Sequence, residues 1–411
     1  MNQPLATELR DFAGVEESSR HYFGWRVVAA LFVIAMLAWG FGFYGHSVYL
    51  AELQRLHGWS TALISAASTL YFLTSAILVI YVNDVIARVG AKRCILFGAV
   101  CFALSIAGLS QVSQPWQLFA VYLVMALAWA TMTVGAITNI LGLWFNRRRG
   151  LAISLTLNGA SFGGVVVIPA MVFAIGAGGF APTMLAASGI ILLVALPLGI
   201  FVLGRAIPER IVPALVPGAA PVISWTRARA LRSPAFWVIA VPFSIGLFSQ
   251  AAFLVHQVAF LETSIGRTSA GIAVAITTAM AITGRFVMGA LIDRLNLRVF
   301  TAIAFVSQAL ALVAMTQTTI VWPLFLFCAV YGFSVGNLIT LPSLIVQREF
   351  PAAAFGLIVA LSTAINQFTY AFGPVLIGAL RDASVNYTLA LLVCVALNLI
   401  AAAVILLRPR A

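Results

Sequence analysis

Long apolar runs, separated by short polar breaks, fill the chain from residue 27 to residue 407. A membrane-spanning helix needs about 20 mostly apolar residues, and nearly all of these runs reach that length. They are too long and too continuous for the alternating strands of a membrane barrel. The pattern therefore predicts an all-α membrane protein with twelve transmembrane helices, at 27–49, 61–82, 94–112, 116–144, 150–175, 184–203, 234–260, 269–292, 299–315, 321–346, 355–380 and 389–407.

Charged residues are scarce: they make up 8% of the 411 residues, against 63% hydrophobic residues. A soluble domain has about 25% charged residues, so the composition excludes soluble enzymes and nucleic-acid-binding proteins. The four cysteines lie scattered in apolar runs, in no spacing typical of a metal site or a disulfide framework. We expect neither a metal nor a cofactor. The sequence has no Gly-x-x-x-x-Gly-Lys-(Ser/Thr) loop, so direct ATP use is not expected. An enzyme would need paired catalytic groups in the membrane, and the apolar runs hold neither acids in their middles nor neighbouring Cys and His residues, so an enzymatic function is not expected either.

The basic residues favour one side of the predicted membrane. If the N-terminus is cytoplasmic, nineteen of the 23 Lys and Arg residues fall in cytoplasmic segments, three fall outside, and Arg285 lies within a helix. Because cytoplasmic loops carry the excess of Lys and Arg, we predict that both termini are cytoplasmic, in the inner (plasma) membrane of a bacterium. The net charge of +12 then reflects topology and attracts lipid head groups. The first 21 residues carry four acids and no apolar stretch, which argues against a targeting peptide.

Residues 206–233 form the one long polar break between the predicted helices and divide them six and six. The halves are weakly self-similar, because Arg88 and Arg294, and likewise Lys92 and Arg298, are 206 residues apart. Several matches at one offset favour a duplicated six-helix unit. The predicted order is a cytoplasmic tail, a six-helix bundle, a cytoplasmic linker, a second six-helix bundle and a short tail, at 1–21, 22–205, 206–233, 234–407 and 408–411.

A charged motif follows the second helix of each half. The copy in the second half reads Gly289-Ala290-Leu291-Ile292-Asp293-Arg294-Leu295-Asn296-Leu297-Arg298, and the copy in the first half keeps Arg88, Gly90 and Lys92 but lacks the Gly and the Asp. This motif resembles the loop signature of the major facilitator superfamily, Gly-x-x-x-Asp-Arg-x-Gly-x-(Arg/Lys). The resemblance covers nearly the whole chain and implies two pseudo-symmetric six-helix bundles that rock about a central site. It also implies a gating role for Arg88, Gly90, Gly289, Asp293 and Arg294.

Three further motifs resemble the monocarboxylate and oxalate/formate branch of that superfamily. They are Trp144-Phe145-x-x-Arg148-Arg149-Gly150-Leu151-Ala152, His256-Gln257-x-x-Phe260-Leu261 and Gly284-Arg285-x-x-x-Gly289-x-x-x-Asp293-Arg294. In that branch, the arginine at the position of Arg285 binds the substrate carboxylate. Oxalate-transporting relatives carry a second cation, a lysine in the eleventh helix, where this chain has Phe372. The resemblance therefore implies a monoanionic substrate.

The residues themselves also single out Arg285. It lies eight residues before Asp293, about 12 Å along the helix, which is farther than its side chain reaches. An arginine near the bilayer centre costs at least about 2.5 kcal/mol on insertion scales, and something must offset that cost. None of the eleven acids lies in the middle of an apolar run, so an anionic substrate would supply the missing charge. The alternative is a structural arginine bonded to backbone carbonyl groups.

Polar and aromatic residues in the apolar runs suggest a lining for the central cavity. The candidates for substrate binding beside Arg285 are Tyr44, His46, Tyr331, Asn366 and Tyr370. Each has an alternative role in hydrogen bonding between helices or in an interfacial aromatic belt. The candidates for proton coupling are His46 and His256, because they are the membrane-embedded groups that titrate near neutral pH.

The sequence thus favours a secondary active transporter of small organic anions of the monocarboxylate kind, working by alternating access with proton coupling or anion exchange. We expect a monomer whose partners are its substrate, protons and membrane lipids. The alternative within transport is an exporter of amphipathic or drug-like compounds. Outside transport, the alternatives are a membrane enzyme and a receptor that does not transport.

Overall fold

The computed structural model describes residues 17, 19, 21–145, 148–203, 225–291, 294–351, 354–384 and 386–407. Each of the twelve predicted apolar runs overlaps a helix, and the runs 94–112, 184–203 and 389–407 extend one to three residues past the helix end. Helices α1 to α6 span Gly24–His57, Thr61–Val89, Ala91–Leu109, Pro115–Trp144, Arg149–Gly178 and Phe180–Val202. Helices α7 to α12 span 234–265, 267–291, Leu297–Thr316, Val321–Glu349, 355–384 and Thr388–Ile405. The prediction of an all-α membrane protein is confirmed, and a short helix, Arg227–Arg232, precedes α7.

Glycines make the tightest turns between consecutive helices. Gly179 separates α5 from α6 with φ of 88°, and Gly266 separates α7 from α8 with φ of 74°. A side chain is disfavoured in this left-handed region, so glycine is the residue that allows the chain to reverse there within one position. The turn at Gly266 takes up a single residue, so α8 follows α7 directly. Together the two helices form an apolar stretch, Pro234–Met288, whose length of 55 residues is enough for two membrane crossings.

The same helix pairs pack in both halves. In the first half α1 packs with α5, α2 with α4, and α3 with α4 and α6. In the second half α7 packs with α11, α8 with α10, and α9 with α10 and α12. This repetition, six helices later, agrees with the predicted pair of pseudo-symmetric six-helix bundles. Residues 206–224 of the predicted linker, most of the first tail and all of the second tail lie outside the described residues.

The two halves meet along two helix pairs, α2 with α11 and α5 with α8. The end of α1 also packs against α7 and α8. At one end of the molecule, polar contacts between the halves add to this packing, namely Glu52 with Arg267 and Asp382 with Thr61. We call this the closed end.

Candidate binding site between the two halves

Arg285 lies on α8 at the junction of the two halves. Its Nη2 donates a hydrogen bond to Ser161 Oγ of α5, and its Nε has no protein partner. Tyr44 of α1 lies close enough to the guanidinium to interact with it electrostatically. Among the described residues, the ion pairs join other arginines to the carboxylates, and none involves Arg285. The structure thus presents a half-buried cation whose hydrogen-bonding capacity is only partly used.

The glycines of α10 and α8 bring these two helices together behind Arg285. A side chain at Gly284 would collide with the carbonyl oxygen of Phe333, and one at Gly336 would lie 3.0 Å from Arg285 Cγ. Asn337, which is fully buried, donates from Nδ2 to the same Phe333 carbonyl at 3.1 Å. The backbone that carries Arg285 is therefore held closely against α10, in the same half.

Two local widenings of the helices adjoin this site. One π-helical turn in α1 covers Gly40–Tyr44 and ends with Tyr44, and another in α5 covers Gly163–Val167, just after Ser161. The two turns pack on each other, since a side chain at Gly40 would strike Val167. Such turns are frequent at functional sites.

The predicted lining residues separate into three groups. Tyr44 is near enough to Arg285 for an electrostatic interaction. Tyr370 of α11 packs its ring 5.5 Å from Phe72 of α2, across the junction of the halves. Tyr331 and Asn366 lie within the second half.

Tyr331 and Asn366 make contacts between helices of the second half. The ring of Tyr331 packs 4.7 Å from that of Phe253. Asn366 Oδ1 accepts a hydrogen bond of 2.7 Å from Ser244 Oγ, which joins α11 to α7. Contacts of this kind between helices are the alternative to a role in lining the central cavity. The structure does not bring either residue into contact with Arg285.

His46 lies in the interior of the first half. Its Nδ1 is 3.1 Å from Ser68 Oγ, and its ring centroid is 4.6 Å from that of Tyr71 and 4.7 Å from that of Tyr122. Ser68 and Tyr71 belong to α2 and Tyr122 to α4. The structure therefore places His46 among the helices of the first half.

His256 bridges the two halves. Its Nε2 lies 2.9 Å from the carbonyl oxygen of Pro374 and 3.2 Å from Ser65 Oγ of α2, and its Nδ1 lies 3.1 Å from the hydroxyl of Tyr387. Because a carbonyl oxygen only accepts, Nε2 carries the hydrogen and Nδ1 of the neutral ring accepts from Tyr387. Of the two candidate histidines, His256 is thus the one placed to sense movement between the halves.

The closed end is joined by two carboxylates. Asp382, on the last turns of α11, accepts hydrogen bonds from the backbone nitrogens of Thr61 at 3.2 Å and Ala62 at 2.7 Å. These nitrogens belong to the first turn of α2, where the helix dipole favours a negative charge. Glu52 of α1 pairs with Arg267 of α8 at 2.8 Å. Both contacts cross from one half to the other.

The predicted gating residues lie at the opposite end. Arg88 is exposed on the last turn of α2, and Gly90 follows with φ of 87°. Gly289 lies in the last turn of α8, Arg294 is exposed, and Asp293 lies outside the described residues. The nearby Arg298 pairs with Glu349 through two bonds of 2.6 Å, within the second half. The gating role of Arg88, Gly90, Gly289, Asp293 and Arg294 stays a prediction.

Comparison with known proteins identifies the fold and the family. The family model described as "Major Facilitator Superfamily" matches residues 28–266 and 257–411. "MFS-type transporter 1" of Ophiocordyceps sp. (strain BCC 1869) is 26% identical over 330 residues, which cover 79% of this chain and 71% of that protein. "MFS-type transporter pynF" of Aspergillus niger is 24% identical over 335 residues, covering 80% of this chain and 74% of that protein.

Two solved structures share the architecture. A bacterial homolog of the human lysosomal transporter Spinster, inward-facing and unoccupied, has a TM-score of 0.72 at 14% identity, covering 94% of this chain and 97% of that chain. A variant of the nucleoside transporter NupG has a TM-score of 0.76 at 14% identity, covering 92% of this chain and 98% of that chain. At this identity the two matches establish the fold.

Proposed function

Because the chain belongs to the Major Facilitator Superfamily and is a multi-pass membrane transporter, we propose that it carries small organic monoanions of the monocarboxylate kind. Transport proceeds by alternating access, with the two halves rocking about a site built on Arg285. Its termini face the cytoplasm of a bacterium, it acts as a monomer, and protons or a counter-anion supply the coupling. His256, at the junction of the halves, is the better-placed of the two candidate proton carriers.

A single observation carries this proposal: Arg285 lies where the halves meet, and no described carboxylate pairs with it. A guanidinium binds a carboxylate through two parallel hydrogen bonds, a geometry that lysine does not offer. The unpartnered Nε provides one of the two donors. One cation at the site balances one negative charge, which supports a monoanion.

A second candidate function, export of amphipathic or drug-like compounds, is favoured by a separate cavity. A groove of about 440 Å³ lies between α8, α9 and α10 and is lined mainly by apolar side chains, among them Met280, Phe300, Ile303, Leu326 and Phe333. Ile303 and Leu326 are each 61% exposed on membrane-spanning helices. An apolar molecule dissolved in the bilayer would have direct access to this groove.

The test is uptake into proteoliposomes. We expect the wild type to take up radiolabelled lactate, pyruvate or formate and to ignore lactamide, the uncharged analogue of lactate. Arg285→Ala removes the partner of the carboxylate, which typically costs about 3–5 kcal/mol, or two to four decades in affinity. Arg93→Ala, at an exposed position on α3, is the matched control and should transport normally.

Full carboxylate transport by Arg285→Ala would contradict the proposal. So would an equal loss for lactate and lactamide binding, because it would point to a structural arginine. Transport of an uncharged amphipath by both proteins would favour the second candidate function.

A further inference from the structure

The groove between α8, α9 and α10 has polar side chains among its apolar ones. The residues that α9 and α10 contribute repeat every three or four positions, so each helix lines the groove with one face. The rim includes Ile303 and Leu326, which are exposed on membrane-spanning helices, so the groove opens toward the lipid. Three of the lining side chains are polar, namely Ser307, Ser334 and Asn337.

The two serines of the groove use their hydroxyl hydrogens within the protein. Ser307 Oγ donates to Ala304 O at 2.9 Å, and Ser334 Oγ donates to Tyr331 O at 2.8 Å. A serine hydroxyl has a single hydrogen but can also accept hydrogen bonds at its oxygen. Toward a ligand, both serines are therefore hydrogen-bond acceptors.

Asn337 also offers an acceptor. Its Nδ2 donates to Phe333 O at 3.1 Å and lies against α8, where a side chain added at Gly284 would come within 3.3 Å of it. Both hydrogens of the amide are on this nitrogen, so the donor end of Asn337 is enclosed between α8 and α10. Oδ1 is the other end, and it has no hydrogen-bond partner although the side chain is fully buried.

This unpartnered oxygen lies deep in the membrane. Asn337 is sixteen residues from Val321 and twelve from Glu349, or about 24 Å and 18 Å from the two ends of α10. Half of the hydrocarbon core is only about 15 Å thick, so both head-group regions are distant from Asn337. An amide oxygen without a donor is unfavourable in such surroundings, because the hydrocarbon itself offers none.

We propose that the groove is a binding site for a neutral single-chain alcohol dissolved in the bilayer. The hydroxyl of the alcohol donates to Asn337 Oδ1, and its hydrocarbon chain lies along the apolar walls. The volume of about 440 Å³ is in the range of small-molecule sites. The site does not include Arg285 and does not rest on the proposed function, and it holds the alcohol whether or not the protein exports it.

Other occupants each lack one property that the groove requires. An acyl chain of a lipid fills apolar space but brings no donor to Oδ1. The hydroxyl of a two-chain lipid stays at the head-group level, far from Asn337. A carboxylate only accepts hydrogen bonds, and its charge is costly at this depth. A water molecule can donate, but it leaves the apolar walls uncovered.

Photolabelling of the protein in lipid nanodiscs tests the site, with a ten-carbon alcohol that carries a diazirine in its chain as the probe. We expect labelled peptides from α9 and α10. Decanol should displace the probe about ten times more effectively than its methyl ether, which has the same oxygen and no hydrogen to donate. Dioleoylglycerol, a two-chain lipid alcohol, should compete no better than the ether, and lactate should not compete.

Two variants separate the acceptor from the groove. Asn337→Leu keeps the size of the side chain and removes the acceptor, so decanol and its methyl ether should become equal competitors. Leu326→Trp fills the groove from its exposed rim and should reduce labelling of α9 and α10 about tenfold. Ile339→Trp is the matched control, because Ile339 is equally exposed on α10 and does not line the groove.

Equal competition by decanol and its methyl ether in the wild type would overturn the inference. So would an unchanged preference for decanol in Asn337→Leu, or equal labelling of Leu326→Trp and Ile339→Trp. Displacement by dioleoylglycerol as strong as that by decanol would assign the groove to a membrane lipid instead. Displacement by lactate would show that the probe lies in the site built on Arg285.

Discussion

Asp382 Oδ2 lies 2.7 Å from the backbone nitrogen of Ala62, so a carboxylate of the second half caps the first turn of a helix in the first. The pairing uses two features of a helix N-terminus, its free N–H groups and its positive dipole end. A side chain at Gly378, one turn earlier on α11, would press on Ser65 and Thr61, so α11 approaches α2 closely here. The closed end thus depends on a charge that faces backbone groups.

Asp382→Asn should shift the conformational balance toward opening of the closed end. The amide keeps the shape and loses the charge, which is worth about 1–2 kcal/mol at a helix terminus. Spin labels on Leu56→Cys and Ser264→Cys, two exposed positions at the closed end, measure the shift in a variant lacking the four native cysteines. Glu262→Gln is the matched control, because Glu262 lies at the same end and pairs with Arg267 within one half at 3.5 Å. An unchanged distance distribution would mean that the cap does not stabilise closure.

Glu52→Gln should lower the melting temperature more than Arg267→Gln. The Glu52 side chain is 2% exposed and pairs with both Arg55 and Arg267, each at 2.8 Å. Without Arg267 it still has Arg55, whereas Arg267 without Glu52 keeps only the longer contact with Glu262. Thermal unfolding in detergent measures both variants and the double variant. Equal losses for the two single variants would show that Arg55 contributes nothing.

Gly164→Ala should impair transport while Gly176→Ala, on the same helix, should not. A side chain at Gly164 would collide with Thr278 on α8, and nothing lies within 4 Å of one at Gly176. The collision separates α5 from α8, and overpacking of this kind costs about 1–3 kcal/mol. Uptake rates normalised to the amount of inserted protein give the comparison. Normal transport by Gly164→Ala would show that transport tolerates a separation of α5 from α8.

Arg285→Lys should bind lactate weakly and lose its preference for planar carboxylates over other small anions. Lysine keeps the positive charge but presents a single point instead of a fork. Competition of lactate uptake by formate, chloride and nitrate measures the preference. A lysine variant with wild-type selectivity would show that charge alone, without the two parallel bonds, accounts for recognition.

Orientation can be tested by labelling single cysteines in a cysteine-free background. Residues within 112–116 and 262–268 should react with a membrane-impermeant reagent from outside intact cells, and a cysteine at 218 should not. The basis is the uneven distribution of basic residues along the sequence. Because 262–268 include Arg267, the same result would place the closed end on the outer side. The reverse labelling pattern would overturn the predicted topology.

The sequence predicts the helices well because the length of an apolar run alone decides whether it can span a membrane. Arg285 also stands out, since a lone cation in such a run demands an explanation. Ser161 does not stand out in the sequence, because Ser105 and Ser188 are serines in apolar runs just as Ser161 is. The structure shows that those two serines form hydrogen bonds only within the first half. In the sequence, Asp382 looks like an ordinary charged residue of a loop. Its partner Ala62 lies 320 residues away along the chain, so the sequence does not indicate the contact. Only the fold distinguishes His256, which joins the halves, from His46, which does not.

One uninterrupted helix carries both Arg267 and Arg285, because α8 begins immediately after the turn at Gly266. The two positions are eighteen residues apart, which corresponds to about 27 Å of helix, nearly the thickness of the hydrocarbon core. The contacts of α8 with α5 at positions 271 and 278 lie between these two arginines. Because the helix is continuous over this length, a tilt that opens the ion pair of Arg267 with Glu52 would also shift Arg285 relative to α5, without any bending of the helix.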